Sequence, residues 1–148
     1  MATTTSAYEG DIIAWANEQA RLLRAGLFSQ LDIEHIAEEI EDVGKSEQRE
    51  LESRMALLLA HLLKWQLQPS HRGNSWRRTI IDQRQGIARR LKKTPSLNAS
   101  LEDPDWWADA WQDALMAASR ETGISYDKFP ENCPWDLARI MDSESWPD

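Results

Sequence analysis

The chain has a single cysteine, Cys133. No intrachain disulfide can form, and a four-cysteine zinc site is excluded. Glycine and proline are scarce, six of each in 148 residues, and Val43 is the only valine. Leucine, alanine, glutamate, glutamine and arginine dominate instead, which favours helix over sheet. The longest apolar run, residues 55–63, is interrupted by His61 and is far too short to span a bilayer. Residues 1–6 are polar and lack the apolar centre of a signal peptide. There is no HExxH pair, nucleophile elbow or glycine-rich phosphate loop. The formal charge of −8 weighs against nucleic acid and membrane as partners. These absences leave the expectation of a cytoplasmic, all-α protein: one domain over residues 1–148, with an ordered core at about 8–141.

Among the residues present, the eight tryptophans are many for this length. Leu51, Met55, Leu58, Leu62 and Trp65 recur at steps of four, three, four and three, with Leu59 and Leu63 widening the stripe. That spacing makes one apolar ridge on a helix, which other helices must cover. The pattern predicts a bundle of about five helices around one long central helix. Residues 8–25 read as the first helix, with Ile12, Trp15, Gln19, Leu22 and Leu23 inward and Gly26 at its end. Asp32 is the expected cap of the long helix, 32 to about 66, with Ile33, Ile36, Ile40 and Val43 on its inner stripe. The pattern continues in phase through Gly44, with a bend there; the alternative is a hairpin with Ser46 as a fresh cap. Ser75 is expected to cap a third helix running to about 93. Pro104 opens a fourth that Gly123 closes, and Pro134 starts a short last one. Residues 143–148 read as a loose tail to which Trp146 offers an anchor.

Charge is segregated. Residues 34–52 hold eight acids against Lys45 and Arg49; residues 72–93 hold eight bases against Asp82; residues 102–148 hold twelve acids against three bases. The simpler reading places the basic helix between acidic neighbours. Arg77 and Arg84 border its core stripe, so each is expected to find a carboxylate, with Glu39 the natural candidate, because an unpaired charge there is costly. The sharper reading leaves the 72–93 face open to phosphate or an acidic partner.

Three groups carry candidate chemistry. His35, Glu39 and Asp42 share one helix flank at spacings of four and three, a weak metal-ligand set. His61 breaks an apolar run. A turn near Arg72 sets it opposite Gln83, so a polar cluster of His61, Gln83, Trp65 and Trp76 is expected, with His61 and Glu39 the first acid/base candidates. Trp106 and Trp107 are adjacent, so one faces outwards; Trp106 is taken as the exposed binding-surface candidate. Cys133 reads as a packing residue.

Several strings carry a resemblance. They are Tyr8-Glu9-Gly10-Asp11 with Trp15, residues 31–41, and Gly44-Lys45-Ser46-Glu47. They continue with residues 61–66, Ser75-Trp76-Arg77-Arg78-Thr79-Ile80 with Gln83-Arg84, and Phe129-Pro130 before Cys133-Pro134-Trp135. In this order they resemble the bacterial family called domain of unknown function 29, from Tyr8 to about Met141. The resemblance implies a helical domain and supplies no reaction, substrate or cofactor. His35 departs from the asparagine associated with its position, which weakens the metal set. Glu39, His61, Trp65, Trp76, Gln83, Arg84 and Trp135 fall inside the matching strings.

The leading functional expectation is a non-catalytic protein–protein interaction module, as a homo-oligomer or with another protein. The alternatives are a metal-dependent or acid/base enzyme centred on His61, and nucleic-acid binding through residues 72–93.

Overall fold

Six α-helices and four short 3₁₀ turns carry the chain in this computed structural model, which describes residues 3–148; Met1 and Ala2 lie outside the described residues. Among the described residues there is no strand. The helices are α1 (Thr3–Gly10), α2 (Ile12–Ala25), α3 (Ile33–Leu67), α4 (Asn74–Lys93), α5 (Pro104–Thr122) and α6 (Leu137–Met141). Among the described residues, no helix is long and apolar enough to cross a membrane. The chain divides into two compact units, the first ending at Ser46 and the second Glu47–Asp148.

The long helix runs unbroken through Gly44 for 35 residues, so the hairpin alternative is set aside. Its neighbours begin and end where local chemistry dictates. The expected helix over 8–25 is two helices: Asp11 leaves helical geometry and its carboxylate accepts from the Ala14 amide, capping α2. Gly26, at φ 73°, closes α2 in the left-handed conformation that glycine tolerates. The cap of α4 is Gly73, not Ser75. Asp136, two residues after Pro134, caps the last helix, because its side chain satisfies the Arg139 amide.

In the second unit the ridge is fully roofed. Leu51, Met55, Leu58, Leu59, Leu62, Leu63 and Trp65 are buried with Ile80 and Ile87 of α4, and with Ala110, Trp111, Ala114, Leu115 and Ala118 of α5. Burying one such leucine contributes roughly 1.5–3 kcal/mol. Phe129, Trp135 and Ile140 close the C-terminal end. The tail docks: Trp146 lies 4.8 Å from the Trp65 ring, centroid to centroid.

The first unit is built differently. Among its described residues, Trp15, Gln19 and Leu22 are buried. The buried amide of Gln19 accepts from the Asp32 main chain at 2.8 Å, which explains a polar residue on the inner face of α2. The expected inner stripe of α3 is exposed instead: Ile33 68%, Ile40 68% and Val43 67%. Ile12 and Leu23 are also exposed, against expectation.

Candidate functional site

In the first unit the candidate metal set separates into two hydrogen-bonded pairs. His35 shares its Nδ1 with Asp32 Oδ2 at 2.7 Å, while the Glu39 carboxylate accepts from the Tyr8 hydroxyl at 2.7 Å. Trp15 Nε1 donates to the same Asp32 oxygen at 3.0 Å, and the Tyr8 and His35 rings stack at 3.9 Å. The bond to Asp32 raises the His35 pKa. Burial alone would raise the Asp32 carboxyl, but the bonds from His35 and Trp15 outweigh it and hold it low. The bond to Glu39 pushes Tyr8 up to about 12. Asp42 forms no hydrogen bond to either pair, and no group of three metal-ligating side chains occurs among the described residues. The cluster ties α1, α2 and the start of α3 together.

In the second unit the expected cluster around His61 is rearranged. His61 Nδ1 bonds to the Leu57 carbonyl at 3.0 Å, and partial burial lowers its pKa, which keeps the ring neutral at pH 7. Gln83 Oε1 is buried without a hydrogen-bond partner. Trp65 turns instead towards arginines, with Arg72 at 5.2 Å and Arg77 at 5.4 Å from its ring centre. Trp76 lies beside the His71 ring and under the Lys64 ammonium, 5.2 Å from its centre.

Arg84 corrects the expected carboxylate pairing. It is 5% exposed, and its Nε and Nη2 donate to the Ile140 and Ser145 carbonyls, each at 2.7 Å. Arg77 stands over the Trp146 ring at 5.2 Å, and Arg72 donates to the Trp65 and Pro147 carbonyls. The C-terminal tail therefore supplies what acidic side chains were expected to supply. Among the described residues, only Arg90 of α4 reaches carboxylates, Glu47 and Glu50, at 3.4 Å each.

The tryptophan pair is also the reverse of expectation. Trp106 is buried at 9% exposure and donates to the Gln48 carbonyl, while Trp107 is half-buried and donates to Leu101. Cys133 is half-buried; burial pushes its thiol pKa up and its Sγ donates to the Trp135 carbonyl, as a packing residue should.

Sequence reasoning missed two polar sites. Lys64 sits in the core stripe at 8% side-chain exposure, its ammonium 2.6 Å from Glu121 of α5. Its signal was available: it stands between Leu63 and Trp65 in the most apolar part of α3. The second is Glu52, whose carboxyl is pushed up to about 7 by desolvation and by the neighbouring Asp113 carboxyl of α5. No local pattern pairs residues 61 positions apart in the sequence.

Residues 7–146 match the model of the family described as Domain of unknown function DUF29, and the chain belongs to that family. No curated protein and no solved structure matches it.

Proposed function

We propose that this member of the family acts as a protein-interaction module whose first unit docks a cationic amphipathic helix of another protein. One observation carries the reading: Ile33, Ile40 and Val43, with half-buried Ile36 between them, stand exposed on one face of α3. Their steps of three, four and three are the spacing of a coiled-coil seam. Scattered exposed apolar residues are ordinary, but a row at seam spacing is what a partner helix covers.

Charge selects the occupant. Residues 34–42 hold Glu34, Glu38, Glu39, Glu41 and Asp42 with no lysine or arginine. A second copy laid on this seam brings two strongly acidic segments together, which disfavours it. A helix with leucine-like residues on one face meets the seam, and its lysines are drawn to the acidic segment as a whole: Glu39 borders the seam, while Glu34, Glu38, Glu41 and Asp42 lie on the far side of α3.

The test is a titration of the full chain with two labelled helical peptides, one of leucine and lysine heptads and one of leucine and glutamate heptads. The basic peptide is expected to bind and the acidic one not. A variant carrying Ile40→Asp and Val43→Asp adds negative charge, so attraction by charge alone predicts tighter binding. Loss of binding supports the seam; unchanged or tighter binding overturns it. Light scattering that finds a dimer which this variant dissolves assigns the face to a second copy and overturns the cationic partner.

A further inference from the structure

The face of the second unit where α3 and α4 run side by side holds a cleft of about 550 Å³, lined by Glu47, Arg54, Gly86, Arg89, Arg90, Lys93 and Thr94. Its volume falls in the range of small-molecule pockets. Four of the seven lining residues are cationic and one is acidic, on a chain whose net charge is −8.

Two guanidinium groups converge at its floor. A Cβ built on Gly86 would lie 3.8 Å from Arg54 Nη1 and 3.9 Å from Arg89 Nη2. Like charges gathered at one point repel, and the cleft relieves only part of this. Arg54 is held by Glu50 at 3.1 Å, and Arg90 by Glu47 and Glu50. Among the described residues, Arg89 and Lys93 have no ion-pair partner.

Gly86 sharpens the point. A glycine inside a helix destabilises it relative to alanine. Gly86 is not among the glycines in the left-handed region, and a Cβ there would make only ordinary contacts. Neither backbone nor packing demands it. Its missing side chain leaves room between two guanidinium groups, over bare helix.

We infer that the α3–α4 cleft binds a small phosphorylated ligand, a phosphate monoester or diphosphate, with Arg54 and Arg89 gripping the phosphoryl oxygens over Gly86 and with Lys93 at the rim. Paired guanidinium groups suit the geometry of phosphate oxygens. The observations favour a compact anion over a nucleic-acid strand. Arg72, Arg77 and Arg84, earlier on the same basic stretch, are committed to carbonyls and tryptophan rings rather than to an open ridge.

The experiment is calorimetric titration of the full chain with pyrophosphate at low ionic strength. Binding is expected, weakened about tenfold or more by Arg89→Gln or Arg54→Gln. Gly86→Leu, which keeps every charge and fills the floor, is expected to weaken it similarly. Lys92→Gln removes an exposed charge that does not line the cleft and is expected to change little. The assignment is overturned if wild type does not bind pyrophosphate, if Gly86→Leu binds as well as wild type, or if Lys92→Gln costs as much as Arg89→Gln. It is also overturned if a DNA oligonucleotide binds and pyrophosphate fails to displace it.

Discussion

Arg84 Nε donates to the Ile140 carbonyl at 2.7 Å, fastening the middle of α4 to α6 through a cation that is almost wholly out of water. Its Nη2 holds Ser145 beyond, and the Trp146 ring covers its guanidinium at 5.4 Å. Arg84→Met keeps the bulk and loses both charge-assisted bonds. A loss of about 2–3 kcal/mol in urea unfolding is expected. Arg84→Lys recovers little, since one ammonium cannot reproduce the planar fork. A change under about 0.5 kcal/mol, the size typical of surface sites, would show that the tail is not fastened there.

Lys64 and Glu121 set a second dependence. The bond from Lys64 holds the Glu121 carboxyl below its ordinary pKa. A depressed acid contributes stability above its unfolded pKa and loses it as pH falls through the folded one. The melting temperature should therefore fall on acidification below about pH 4.5. That part of the fall should vanish in Lys64→Met. Glu121→Gln alone leaves a buried ammonium unpaired and should destabilise more than the double variant does.

Glu52 has the opposite sign. Its folded pKa of about 7 lies above the 4.5 ordinary for a glutamate side chain. The unfolded chain therefore loses this proton first, and stability falls as pH rises from about 4.5 to about 7. Glu52→Gln should remove this slope and raise the melting temperature at pH 8. An unchanged slope would mean that Glu52 is not the group that carries it.

Gly86→Ala separates fold from cleft. Ordinary contacts at 3.8 and 3.9 Å leave room for a methyl group. The variant should gain about 0.5–1 kcal/mol in denaturant unfolding. A loss of stability would mean that the two guanidinium groups cannot move aside.

Much of the fold was legible because helix spacing and burial coincide in the second unit. Each member of the 51–65 stripe is buried where the periodicity placed it. The same reasoning failed for Ile33, Ile40 and Val43, because spacing identifies an apolar face but not whether this chain itself covers it. Asp11 was missed because a one-residue cap between two helical patterns leaves little mark on periodicity. The site was less legible. Charge blocks announced that arginines needed partners, but carbonyls and indole rings carry no sequence charge, so the docked tail could not be read as their partner. Trp106 rather than Trp107 faces the core, and spacing alone could not decide between them, because adjacent residues leave the helix phase ambiguous by about 100°.

The exposed seam of α3 is tested most directly by hydrogen exchange on the full chain, with and without the leucine–lysine peptide. Slowed exchange confined to residues around 33–43, absent in the variant carrying Ile40→Asp and Val43→Asp, is the result this account predicts. Protection that appears only beyond residue 47, or that persists in the variant, would contradict it.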